Sequence, residues 1–244
     1  MTVPDHAELA ALVQPDRVHR RVYTDPAIFD LEMARIWGAA WIYVGHHSQV
    51  PEPGDFITTE IGLEPVIMAR GKDREVHVVY NRCGHRGAKV EAAHCGRTDH
   101  FRCPYHGWTY QLDGRLRGVP AREGYEGTRF STADPQYWLK PLARVDHVRG
   151  FVFATQSRDA PPLRKFLGET ALTLENIADR APDGEVECAG GRLRYRHACN
   201  WKMFVENLND AMHPMVAHAS VGLAARRYMK EQPEGTAYPS EAEI

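Results

Sequence analysis

The sequence is short of three things that would have narrowed its function early. It has no long hydrophobic run, since no stretch approaches the ~18 apolar residues of a membrane-spanning helix. It has no surplus of one charge. Thirty Lys and Arg face 32 Asp and Glu, a formal net charge of −2, which gives no electrostatic reason to expect nucleic acid or an anionic membrane as partner. It has little cysteine. The five residues, Cys83, Cys95, Cys103, Cys188 and Cys199, are odd in number and irregular in spacing. That argues against a disulfide framework and fits a reducing cytoplasm. The opening Met1-Thr2-Val3-Pro4-Asp5-His6 has neither a basic nor an apolar stretch, so no secretory signal is expected. There is no internal repeat and no low-complexity tract. What remains is a chain of 244 residues, long enough for one large or two modest domains with real cores.

Against that plain background two stretches stand out. Cys83-Gly84-His85-Arg86-Gly87 is followed, after a gap, by Cys103-Pro104-Tyr105-His106-Gly107-Trp108. Each offers one thiolate and one imidazole. Two Cys plus two His is the donor set of a Rieske [2Fe–2S] centre, in which two His replace two Cys on one iron. A structural zinc site uses the same donors. Zinc fingers, however, pair Cys with Cys and then His with His, whereas here each pair is mixed. Mixed pairs suit a cluster that takes one Cys and one His from each of two loops. Gly84, Gly87 and Gly107 allow tight turns and bring backbone N–H groups near sulfur.

The pattern Cys83-X-His85-Arg86-Gly87 with Cys103-X-X-His106-Gly107-Trp108 resembles the Rieske motif of aromatic ring-hydroxylating oxygenase α subunits. It is less similar to respiratory Rieske proteins, which carry an extra Cys in each loop and a Ser after the second His-Gly. Here those positions hold Arg86, Gly87, Tyr105 and Trp108. Losing the Ser hydroxyl removes a hydrogen bond to cluster sulfur and implies a lower potential.

Elsewhere the pattern predicts organisation. Thr24-Asp25-Pro26 reads as a helix start, with Phe29, Met33, Ile36 and Trp37 on one face. Strand-like runs follow at 41–44, 55–61, 65–69 and 76–80, separated by Gly, Pro and charged turns. Gln111 to Leu116 reads as a hairpin turn, and 139–154 as further strand. Ser157 to Pro162 looks like a linker. A helix is expected over Leu163, Phe166, Leu167, Leu174 and Ile177, and a strand pair over 185–198, broken at Gly190-Gly191. The fold class expected is α+β. It comprises an N-terminal helical segment (1–39), an antiparallel β Rieske domain (40–156) and the start of an α+β catalytic domain (157–244).

The stretch from Asn200 to His218 is the second informative one. Trp201, Phe204, Val205, Leu208 and Met212 mark an apolar helix face. Asn207, Asp210 and His213, three apart, are expected to form one polar stripe, with Glu206 beside it. His213 and His218 are five apart, about 140° round a straight helix. A kink or unwinding near Pro214 would be needed to bring them together.

This string resembles the mononuclear-iron segment of the same family, Glu-Asn-X-X-Asp-X-X-His-X-X-X-X-His, with Met212 where the family often has Tyr. The resemblance implies that His213 and His218 ligate a non-haem Fe(II), whose open positions take dioxygen and substrate. It implies that Asp210 is the bridging carboxylate to a cluster His, and that Glu206 and Asn207 belong to the site. It implies a homotrimer or α3β3 assembly. NAD(P)H would supply electrons through a reductase or ferredoxin, and a small, typically aromatic, organic molecule would be the substrate. The family's third iron ligand is an Asp far downstream, and no residue up to Ile244 matches it. Three readings stay open. The chain is a piece of a longer protein, or Asp210 itself ligates, as in Glu-X-X-His di-iron sites, or the site is iron-free. Two other classes also stand beside the oxygenase: a Rieske electron carrier, which needs only the first motif, and a zinc-stabilised binding module.

Overall fold

The computed structural model describes residues 4–188, 191 and 193–231. It divides into two compact units. One comprises Met1–Leu9 with Pro26–Arg194; the other comprises Ala10–Asp25 with Tyr195–Ile244.

The larger unit is built on antiparallel sheet. Helix α1 (His6–Ala11) begins near the N-terminus, and α3 (Pro26–Glu32) starts at the Pro that the sequence marks as a first helical position. A π-helical turn, Met33–Trp37, carries α3 onward. Strands β3 (Ile42–His46), β4 (Asp55–Ile61), β5 (Glu64–Arg70) and β6 (Val76–Tyr80) follow within one or two residues of expectation. Next come β7 (Cys95–Arg97), β8 (Phe101–Arg102), β9 (Thr109–Tyr110), β10 (Leu116–Gly118), β11 (Arg144–Val148) and β12 (Phe151–Thr155). Three sheets result, ordered β6-β5-β4-β7, β10-β9-β8 and β11-β12-β3.

The central strand β5 reads as an apolar run from Val66 to Ala69 because both sheet faces are buried there. Along β5 the side chains alternate between two cores. Val66 and Met68 join Val44, Ile61, Leu142 and Val152 on one side. Ile67 and Ala69 join Phe101, Trp108, Tyr110 and Leu139 on the other. Cys83 and Cys103 lie in that second core. Each large side chain fully buried there contributes on the order of 1.5–3 kcal/mol, so the thiols rest on a rigid floor.

Beyond the β-strands, residues 157–162 carry no helix or strand. The single helix expected next is two, α4 (Leu163–Leu167) and α5 (Thr170–Asp179), divided at Gly168. The strand pair expected over 185–198 is not seen among its described residues, and Gly190 lies outside them. Leu193 and Tyr195 are about 80% exposed. A hairpin with no sheet to pair with and no face to bury is marginal in water.

Among its described residues the smaller unit holds a two-stranded ribbon, β1 (Val13–Gln14) with β2 (Arg17–Val18), and four helices. These are α2 (Arg21–Thr24), α6 (Trp201–Asn209), α7 (His213–Ala217) and α8 (Ala219–Lys230). Asn200 caps α6 by accepting from Lys202 N–H. Among the described residues no helix is long and apolar enough to cross a membrane.

Candidate metal centres

The loops holding the two Cys-His pairs repeat one hydrogen-bonded frame. Cys83 N–H donates to Ala88 O (2.8 Å) and Gly87 N–H to Cys83 O (2.9 Å). Likewise Cys103 N–H donates to Trp108 O (2.8 Å) and Gly107 N–H to Cys103 O (3.0 Å). Gly87 and Gly107 occupy the same place in the two frames, with φ of 73° and 70°, a region that glycine enters without a Cβ penalty. The two loops are therefore structural twins, although His85 follows its Cys by two residues and His106 by three. Asn81, buried, clasps the far side of the first loop by accepting from Val90 and Glu91 N–H and donating to Glu91 O.

The loops bring all four donors together, sorted by kind. The buried Cys83 and Cys103 thiols lie in one and the same core cluster. The His85 and His106 rings are 4.6 Å apart, centroid to centroid, at 71°. Trp108 stacks on His85 at 4.8 Å and 7°, and so fixes its plane. Among the described residues no three His, Cys, Asp or Glu side chains converge where one ion could sit. A single zinc needs such convergence. Two sulfurs on one side and two imidazoles on the other is what two irons need.

The chemistry of the donors fits as well. Burial pushes the Cys83 thiol up, partly opposed by Tyr110, so this thiol would ionise as metal binds. Burial, with His106 and Arg86 adding to it, holds His85 below the ordinary histidine range, in the neutral form that ligates. His85 Nδ1 is buried without a hydrogen-bond partner. A buried orphan nitrogen is costly, and a metal would satisfy it. Tyr110, which sequence reasoning missed, lies against Cys83. Its signal was a polar-tipped aromatic two residues past Trp108, in a strand that feeds the core.

In the smaller unit the motif differs from the expected stripe. α6 ends at Asn209, and Asp210 leaves helical geometry with ψ of 101°. Its carboxylate accepts from Met212 N–H (2.8 Å) and His213 N–H (3.2 Å), a local bond that competes with continuing the helix. These N–H groups, with His213 adding to them, hold Asp210 below the usual carboxylate range. Pro214 sits in the first turn of α7, where it is tolerated. The break does what a straight helix could not: the His213 and His218 rings are 5.7 Å apart. His213 Nδ1 is buried and unbonded, with Asp210 Oδ2 at 3.5 Å. Asn207 is exposed. Glu206 accepts from the Tyr23 hydroxyl at 2.8 and 2.9 Å, a partner from the N-terminal segment that the sequence did not reveal. Among the described residues no third donor joins His213 and His218.

Comparison with known proteins agrees with this geometry. Residues 40–134 match the Rieske [2Fe–2S] domain family. The chain is 37% identical to toluate 1,2-dioxygenase subunit alpha of Pseudomonas putida, over 83% of its own length. It is 36% identical to biphenyl 2,3-dioxygenase subunit alpha of Rhodococcus jostii (strain RHA1), over 85%. It spans about 44% of the length of these relatives. Its structure superposes on naphthalene 1,2-dioxygenase from Rhodococcus sp. with a TM-score of 0.75 at 34% identity, covering 83% of this chain and 46% of that one. A quaternary ammonium Rieske monooxygenase in complex with L-carnitine gives a TM-score of 0.70 at 28% identity, covering 83% and 55%. The chain thus carries a Rieske [2Fe–2S] domain and is homologous to the N-terminal portion of aromatic ring-hydroxylating dioxygenase α subunits.

Proposed function

We propose that this chain belongs to the oxygenase component of a cytoplasmic Rieske system that hydroxylates an aromatic or related organic substrate. Cys83 and Cys103 would hold one iron of a [2Fe–2S] cluster, and His85 and His106 the other. His213 and His218 would hold a mononuclear Fe(II). When bound, the cluster supplies one-electron transfer and the mononuclear iron supplies oxygen activation. The observation that supports the reading most is the sorting of the four donors, thiols together and imidazoles together, on twin loops.

The chain's own residues have definable parts. Trp108 keeps the His85 ring in one plane. Tyr110 places a hydroxyl on the Cys83 sulfur. Asp210 shapes the turn that aims His213 and is the carboxylate suited to accept a ring N–H. Glu206 and Asn207 complete the site, with Glu206 held by Tyr23. The domain limits that go with this reading are 1–39, 40–156 and 157–244. Its partners are a ferredoxin or an NAD(P)H-dependent reductase, and its assembly is a homotrimer or α3β3. The third iron ligand is Asp210, or a carboxylate outside these 244 residues.

One observation favours a second reading. No third described donor meets His213 and His218, and a Rieske electron carrier would need none. The test is single turnover: chemically reduced protein is mixed with labelled O2 and a panel of aromatic acids and hydrocarbons. The oxygenase reading expects labelled hydroxylated product, lost in His213→Ala. Re-oxidation of the cluster without product in any mixture supports the carrier.

A further inference from the structure

Cys95 and Cys188 take no part in either metal centre, yet they share a place. Both are exposed, in contrast to the buried Cys83 and Cys103. Both line one cavity of about 430 Å³, together with Ser48, Ile57, His94 and Arg194. Cys95 sits on β7, the edge strand of the four-stranded sheet, with Ile57 of β4 as its direct cross-strand partner. Side chains paired in that way rise on the same face of the sheet. Cys188 N–H donates to the Ser48 hydroxyl (3.0 Å). Ser48 belongs to the short 3-10 turn His47–Gln49. The Ile57 and Gln49 side chains both crowd the space over Gly45, within 3.0 Å of where a Cβ would lie. The two cysteines thus stand on the lining of one cavity. Six residues past Cys188, the Arg194 guanidinium donates to the Thr58 carbonyl and contacts His94 Nδ1 (3.1 Å). The segment bearing Cys188 is thus held to the β4–β7 edge at two points. Its described residues from 185 to 194 form no helix or strand.

We propose that Cys95 and Cys188 are an oxidisable thiol pair that closes to a disulfide, with hydrogen peroxide as oxidant. One thiolate attacks the peroxide O–O bond, giving a sulfenic acid and releasing hydroxide, which takes up the thiol proton as water. The second thiol attacks the sulfenic sulfur, the S–O bond breaks, and a second water leaves. Two thiols and one peroxide become one disulfide and two waters. Closure needs the two Cα atoms within about 7 Å. The product pins the Cys188 segment to β7 and restrains the unfolded chain.

The test uses the full chain with its cluster in place, monitored by visible absorbance. It is treated with stoichiometric peroxide and digested without reductant. The proposal expects a Cys95–Cys188 linked peptide two hydrogens lighter than the separate thiols. That peptide should be reversed by dithiothreitol, should be absent in Cys95→Ser and Cys188→Ser, and should persist in Cys199→Ser. In each of the first two variants dimedone should trap the remaining partner as sulfenic acid. Oxidised protein should melt several degrees higher than reduced protein. Independent sulfenic or sulfinic acids on both residues without a linked peptide would overturn the proposal. So would a bridge to Cys199, or a bridge between two copies of the chain.

Discussion

The Tyr110 hydroxyl lies 3.0 Å from the Cys83 sulfur and accepts a hydrogen bond from Gly84 N–H at 3.0 Å. The Gly84 proton occupies one lone pair, which leaves the hydroxyl's own proton to point at sulfur. Burial and the Cys83 contact both push the Tyr110 hydroxyl up, so it stays protonated and donating. A hydroxyl donating to a ligand sulfur favours the reduced, more negative cluster.

Tyr110→Phe keeps the packing and removes that bond. The net worth of one hydrogen bond, about 1 kcal/mol, corresponds to a fall of roughly 40 mV in a one-electron couple. A redox titration followed by EPR checks this, and an unchanged potential would contradict the role of Tyr110. The variant should also be less stable by about 1–3 kcal/mol, because Gly84 N–H loses its acceptor.

Gly84 is needed for space. A Cβ there would lie 2.3 Å from the Tyr137 carbonyl oxygen and 2.6 Å from its carbon, both backbone atoms. Gly84→Ala is expected to cost on the order of 1–3 kcal/mol and to lower cluster content. Gly124→Ala, where nothing lies within 4 Å, should leave both unchanged. Calorimetry and iron analysis of the two variants separate these outcomes.

His47 supplies a pH dependence. Burial first, then the positive neighbours His147, Arg70 and His46, lower its pKa to about 4, against an unfolded value near 6.5. Between those values the unfolded chain binds a proton that the native protein refuses. Stability is therefore full above about pH 6.5 and falls as pH drops toward about 4. The loss, allowing for the partial exposure of the ring, is about 1–2 kcal/mol. His47→Gln should flatten this limb in melting curves taken between pH 7 and pH 4.5. An equally steep loss in the variant would assign the effect elsewhere.

Asp210 has two roles that substitution separates. Asp210→Asn keeps an acceptor for Met212 and His213 N–H, so the α6–α7 break and the circular dichroism should persist. The carboxylate beside His213 is lost, and product formation per turnover should fall about tenfold or more, as for other carboxylates that orient a metal-bound imidazole. Asp210→Ala should lose both. Equal activity in Asp210→Asn and the native chain would remove the carboxylate from the proposed orientation of His213.

The cluster loops were legible because their donors and glycines sit within a few residues of one another, so local spacing fixes local geometry. The best-buried strand of the larger unit was legible because burial on two faces writes itself as an apolar run, Val66 to Ala69 in β5. The break at Asp210 was not legible. Residues 201–213 keep a helical apolar period, and only the competition of one carboxylate for two N–H groups ends the helix there. The same holds at Gly168, where a positive φ of 54° splits a continuous apolar face into α4 and α5. Residues 185–198 have strand-forming composition, but composition does not say whether a sheet edge is there to receive them. Tyr23 with Glu206 depends on a contact between residues far apart in the chain, which no window of sequence displays.

The most direct test of the account is the iron, zinc and acid-labile sulfide content per chain of anaerobically purified protein, with an EPR spectrum after reduction. The account predicts about two irons with about two sulfides, a Rieske-type signal and no zinc, with a third iron if His213 and His218 are loaded. Stoichiometric zinc in a colourless protein without sulfide would contradict it.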